Sequence, residues 1–222
     1  MIALSKRLQS ILDSVQGECL ADIGCDHAYI AAEAVLQNKV MKAYACDIAE
    51  GPLERAKETI QSCHLSHRVQ CLLMNGIENL PSEVDTVVIA GMGAQTVVSI
   101  LENGKSFIST QMEFIVSVHK DAECLRDYLS NHNFQIEYEK IIKEGNHFYP
   151  ILCIKPTLLP CEPLTQVEIF YGKNVDNRQG VWTEYLNHEY IKWNKIAERI
   201  STNKKTEMEK RLDILKKLLR KS

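Results

Sequence analysis

The sequence predicts an α/β protein, with a seven-stranded, largely parallel sheet flanked by helices and then an antiparallel helical hairpin. Three observations carry this. Five short apolar runs between residues 19 and 118 alternate with turns and helix-forming stretches, the order of β-α units. Two further strand-like runs follow without a full helix between them, so the sheet should close on an antiparallel edge. Beyond Pro156, Pro160 and Pro163 the apolar residues change to four-three spacing, the mark of packed helices.

In chain order, Leu4, Leu8, Ile11, Leu12 and Val15 give an amphipathic helix over 3–15, with Lys6 and Arg7 in its first turn and Gly17 ending it. Cys19 to Ile23 is the first strand. It runs through Gly24-Cys25-Asp26-His27 into a helix from Tyr29. A strand, a glycine turn and a helix make the usual corner for a nucleoside ligand in an open α/β sheet. Asp26 stands where the second glycine of a dinucleotide fingerprint would be, which disfavours a pyrophosphate and suits a ligand with positive charge. Lys42 to Ile48 is the second strand. Asp47 at its end is placed to accept hydrogen bonds from two ribose hydroxyls. Pro52 starts the next helix. Arg68 to Met74 is the third strand, with the turn Asn75-Gly76 after it.

Asp85 to Ala90 is apolar enough for the sheet centre and ends in Gly91-Met92-Gly93, a turn that lets backbone approach a ligand closely. Glu113 to Val118 is the fifth strand, followed by His119-Lys120 and a helix over 122–131. Phe134 to Ile142 and Phe148 to Ile154 make the closing hairpin. Seven strands ending this way follow the class I methyltransferase plan. The expected division is a nucleoside-binding domain over 1–156 and a helical arm over 157–222. In the arm, Trp182, Leu186, Glu189, Trp193, Ile196 and Ile200 form one short coiled-coil seam and Met208, Leu212, Leu215 and Leu219 the other.

Composition limits the function. With 222 residues, 45% hydrophobic and 25% charged, the chain reads as an ordinary globular protein with room for one large domain and an appendage. No apolar run reaches membrane-spanning length, and Lys6 and Arg7 precede an amphipathic segment instead of a secretory core, so a cytoplasmic protein off the membrane is expected. Eight cysteines without a C-x-x-C pair read as reduced thiols, with no metal site. The net charge of -3 conceals a split: residues 1–191 carry 15 basic and 25 acidic side chains, residues 192–222 carry 11 and 4. A basic tail on an acidic body points to nucleic acid.

The chain resembles the bacterial tRNA (adenine-N1)-methyltransferases that act on adenine 22. The resemblance rests on Leu4-Ser5-Lys6-Arg7-Leu8, Ala21-Asp22-Ile23-Gly24-Cys25-Asp26-His27-Ala28-Tyr29, Asp47-Ile48, Asn75-Gly76-Ile77-Glu78-Asn79-Leu80 and Ala90-Gly91-Met92-Gly93. It implies a class I methyltransferase domain with a C-terminal hairpin, S-adenosylmethionine as cofactor, and tRNA as substrate. The chain departs from the family at His119-Lys120, where Gln-Pro is usual, at Asn75, where Asp is common, and at Ala94, where a further glycine is usual.

On that basis the cofactor site is expected to comprise Arg7, Gly24, Cys25, Asp26, His27, Asp47, Ile48, Asn75, Gly76, Ile77, Ala90, Gly91, Met92 and Gly93. Asp26 is the candidate catalytic acceptor for the adenine amino group, the other reading being a turn-capping aspartate. Lys6, Lys192, Lys195, Arg199, Lys204, Lys205, Lys210 and Arg211 are candidates for tRNA phosphates. The protein is expected to be a monomer or weak dimer. Other readings are a class I methyltransferase with a different RNA or small-molecule substrate, or an RNA-binding protein with weak turnover.

Overall fold

A computed structural model describes residues 2–173, 175, 180–198 and 205–220, the side chains of 205–207 excepted. The chain divides into two compact units, Met1–Pro163 and Leu164–Ser222.

The first unit is built on one seven-stranded sheet. Its elements are α1 (Lys6–Ser14), β1 (Cys19–Ile23), α2 (Tyr29–Leu36), β2 (Lys42–Asp47), α3 (Glu50–Ser62), β3 (Val69–Leu73), β4 (Thr86–Met92), α4 (Ala94–Asn103), β5 (Glu113–Val118), α5 (Ala122–Asn131), β6 (Phe134–Glu144) and β7 (His147–Pro156). The strand order is β3-β2-β1-β4-β5-β7-β6, with β7 antiparallel to both β5 and β6. The five parallel strands are covered by helices, and every residue of β1 is buried, which is why these strands read as continuous apolar runs. The core gathers Leu20, Val88 and Ile115 from the sheet with Ile11 and Leu12 from α1.

Local chemistry sets the boundaries. Ser5 caps α1, its hydroxyl accepting from Leu8 N. Gly17 takes φ +95° beneath Asp85, whose carboxylate accepts from Glu18 N (2.7 Å) and Cys19 N (3.2 Å) and so pins the start of β1. Two details differ from the sequence reading. Gly91 and Met92 belong to β4, which passes through a register shift between Ala90 and Met92 instead of ending in a free turn. The closing hairpin is longer than expected, with only Gly145-Asn146 left as its turn.

The second unit contains α6 (Gln166–Tyr171), α7 (Val181–Ala197) and α8 (Lys205–Leu219). Helix α6, not foreseen from the sequence, begins with a capping box between Thr165 and Glu168. Helices α7 and α8 pack together through Trp182, Leu186 and Glu189 on one side and Met208, Leu212, Leu215 and Leu218 on the other. Leu218, not the expected Leu219, completes the second seam. Ile200 lies outside the described residues. Among the described residues no helix is long and apolar enough to cross a membrane, and no group of three or more His, Cys, Asp or Glu could hold a metal ion.

Candidate active site

The strand order changes direction between β1 and β4, and at the carboxyl ends of these strands open sheets bind ligands. A cavity of about 380 Å³ lies there. Gly24, Cys25, Asp26 and His27 line it from the β1 turn, Ala90 and Gly91 from β4, and Arg7 from α1. These seven were all predicted from the sequence. Asp22, Leu8, Tyr29, Ile30 and His119 complete the lining and are not among the predicted site residues, although His119 is one of the departures from the family pattern.

Gly24 sits at φ +70°, a conformation that strains any side chain, while the only atoms a Cβ would meet belong to the movable end of Met92. That leaves bare backbone at the corner. Gly24 N (2.8 Å) and Cys25 N (3.1 Å) donate to Cys46 O, tying the turn to β2. Asp47, one residue on, ends β2 with its carboxylate accepting from Ala49 N (3.0 Å). The exposed Ile48 beside it offers an apolar surface.

Asp26 adopts φ +46° and is ion-paired: Arg55 Nε lies 2.9 Å from Oδ1, and Arg55 Nη2 bonds the same oxygen. His27 Nε2 is 3.7 Å from Asp26 Oδ2, and its ring stacks on Tyr29 at 5.0 Å. The turn is thus a small charged network, and Arg55 occupies part of the acceptor capacity assigned to Asp26. Asp22 is buried behind it. Burial, reinforced by the Asp47 charge and opposed by a backbone hydrogen bond at Ala31, pushes its carboxyl up to about 7.

Arg7 shapes the other wall. Its backbone N–H donates to Glu144 Oε1 (3.2 Å), and its guanidinium lies 5.2 Å from the Tyr149 ring centroid. Its Nη1 is buried without a hydrogen-bond partner, a donor aimed at nothing in the protein. A small carboxylate in the cavity would satisfy it.

The remaining predicted residues lie outside the cavity lining. Asn75 is exposed, its Nδ2 donating to Glu78 Oε1 at 2.6 Å, and Gly76 turns at φ +57°. The Ile77 side chain is fully buried and packed against Gly104. Met92 supports Gly24 from below, and Gly93 caps α4.

In the second unit Lys192, Lys195 and Lys210 are exposed, and Lys192 also pairs with Glu189 at 3.0 Å. In the first unit Lys6 is exposed at the head of α1. Arg211 is a correction. It is buried, its guanidinium 3.9 Å from the Phe170 centroid and 4.5 Å from that of Trp193, so it is packed as an aromatic-clamped core cation and not displayed to phosphates. Arg199, Lys204 and the Lys205 side chain lie outside the described residues. Nothing in the spacing foretold Arg55 or Tyr149, because each reaches the site through packing between distant segments.

The model of the tRNA (adenine(22)-N(1))-methyltransferase family matches residues 20–221. A tRNA (adenine(22)-N(1))-methyltransferase of Bacillus subtilis is 33% identical over 153 residues, 68% of this chain and 64% of that relative, just under two thirds of its length. The crystal structure of the B. subtilis m1A22 tRNA methyltransferase superposes with a TM-score of 0.87 at 26% identity, covering 99% of this chain and 100% of that one. The M. capricolum enzyme bound to S-adenosylhomocysteine, the cofactor product, superposes with a TM-score of 0.85 at 29% identity, covering 98% of each chain.

Proposed function

The chain belongs to the tRNA (adenine(22)-N(1))-methyltransferase family, and from that premise we propose that it methylates N1 of adenine 22 in tRNA, with S-adenosylmethionine as methyl donor. The observation that carries the reading is the cavity at the β1–β4 switch point, with a side-chain-free corner at Gly24, the ribose-competent Asp47 beside it and, in its lining, Arg7, whose buried Nη1 has no partner in the protein.

These residues fit the cofactor's chemistry. Arg7 would hold its carboxylate, Gly24 and Cys25 would allow close backbone passage, and Asp47 would accept from both ribose hydroxyls. Ile48 and the Asn75-Gly76-Ile77 backbone would flank the adenine ring. When bound, the cofactor supplies an electrophilic methyl group on a cationic sulfur. The protein's own work is positioning, which can lower a barrier by roughly 7–11 kcal/mol.

Adenine N1 carries an in-plane lone pair and needs no deprotonation before attack. It lies on the pairing edge, so the base must be unpaired or extruded to reach the cavity. Asp26, held by Arg55, orients the turn beneath it. Lys192, Lys195 and Lys210 in the second unit, with Lys6 near the cavity, would neutralise phosphates. This assigns residues 1–156 to methyl transfer and 157–222 to the tRNA grip, in a cytoplasmic monomer or weak dimer.

The test is incubation of the full chain with labelled S-adenosylmethionine and total tRNA, followed by nucleoside mass spectrometry and mapping. N1-methyladenosine at position 22 is expected. Label at another RNA position, or in a small molecule only, would replace this reading with the corresponding alternative. Cofactor binding without product would leave an RNA-binding protein.

A further inference from the structure

The cavity has two sides. The residues assigned to the cofactor come from the ends of β1 and β2 and from Ala90 to Gly93 at the end of β4, so the β5 side of the lining is the part left unassigned. His119 is the first residue beyond β5 and lines that side. Its backbone N–H donates to Met92 O (3.1 Å), which fixes it against the end of β4. Its Nε2 lies 3.7 Å from the point a Cβ on Gly91 would occupy, so the ring leans over the bare backbone of Gly91, itself at φ +81°. Tyr149 on β7 meets the imidazole edge to face, with centroids 5.6 Å apart and planes at 74°. Tyr149 in turn lies under Arg7. The imidazole is therefore held in orientation while the residue stays exposed to an incoming ligand.

A neutral imidazole offers one donor and one acceptor, the same pair a glutamine amide offers. Unpaired adenine presents an N6 amino group next to N1, and that group becomes a better donor as N1 gains the methyl group and positive charge. An acceptor at N6 is thus worth more in the transition state than in the ground state. Asp26, the other candidate, has a carboxylate oxygen already engaged by Arg55.

Resting on the functional reading above, we propose that His119 is the specificity-determining contact for the target base: its Nε2 accepts a hydrogen bond from adenine N6, and Tyr149 sets the plane of the ring. Purines lacking the amino group lose this contact, and guanine presents a carbonyl oxygen in its place. A glutamine placed here would offer its amide oxygen for the same bond.

The full chain, His119→Ala and His119→Gln are compared in single-turnover methylation at saturating cofactor. The substrate is tRNA carrying either adenine or unsubstituted purine at position 22, and S-adenosylhomocysteine affinity is measured by calorimetry. Expected on adenine is a loss of about 10-fold or more for His119→Ala, with most of it recovered in His119→Gln. Product affinity should stay within about twofold, which also reports intact folding. On purine, wild type and His119→Ala should react at the same slow rate, because the deleted partners belong to one interaction. Four results overturn the proposal alone: an unaffected His119→Ala, failure of glutamine to recover the rate, equal loss on both substrates, or collapse of product binding. Absence of product from the wild type on adenine-22 tRNA overturns the functional reading itself, and this proposal with it.

Discussion

Asp22 shows how much one side chain can record of its surroundings. The sheet buries it at the end of β1, and burial raises its carboxyl from 3.8 to about 7. Between those values the folded protein holds a proton that the unfolded chain has released. The associated stability is whole below the unfolded value near 4 and is lost as pH rises through about 7. Asp22→Asn removes the titration. Urea unfolding should find the stability of the variant relative to wild type rising between pH 5 and pH 8, by roughly 1–3 kcal/mol. Parallel pH profiles would show that Asp22 does not titrate in this range. Asp47 is the complementary case, an acid at the open end of β2. Asp47→Ala should weaken S-adenosylhomocysteine binding by about 10-fold or more, and unchanged affinity in calorimetry would contradict the ribose role. The difference in legibility between site residues has a physical origin. Gly24, Asp47 and Gly91 announce themselves because strand ends and turns are local in sequence. Arg55 meets Asp26 from 29 positions away, and Tyr149 meets His119 only after an antiparallel strand folds back.

At the scale of elements, the join between α5 and β6 depends on one buried ion pair. Arg126 and Glu139 are both fully buried, with Arg126 Nη2 2.6 Å and Nε 3.1 Å from Glu139 Oε1. Strand alternation alone would point Glu139 outward, since Phe134 and Ile136 face in. A register shift between Ile136 and Tyr138 inserts one residue, leaves Glu137 and Tyr138 both exposed, and turns Glu139 inward. A charge placed there must be paired. Arg126→Met or Glu139→Leu alone should cost roughly 3–5 kcal/mol, and the double variant should recover most of it, because only the singles leave a buried charge without this counter-charge. Denaturant unfolding of all three decides this, and a double variant as unstable as either single would refute it. The strand itself was readable from its β-branched and aromatic content. The bulge was not, because it is fixed by what Glu139 meets across the fold and not by its neighbours in the chain.

Over the whole molecule, the charge split visible in the sequence survives folding in altered form. Arg211 is withdrawn between Phe170 and Trp193, while Lys192, Lys195, Lys210, Lys216 and Lys217 remain at the surface of the second unit. Counting basic residues pointed to this unit as the partner surface, but a count cannot separate a displayed lysine from an arginine that serves as packing, since both score +1. The two roles have different signatures. A phosphate contact releases counterions, so the logarithm of tRNA affinity falls with the logarithm of salt by about 0.7–0.9 per contact. Lys195→Gln and Lys210→Gln should each flatten that slope by roughly this amount and leave S-adenosylhomocysteine affinity unchanged. Arg211→Ala removes a buried cation from its aromatic clamp. It should lower the unfolding temperature while folded protein keeps the wild-type salt slope. A salt titration of tRNA binding, run beside thermal unfolding for the three variants, separates the cases. If Arg211→Ala flattened the slope without loss of stability, the aromatic clamp would be a display site, and the division of labour between displayed lysines and packed arginine would have to be reversed.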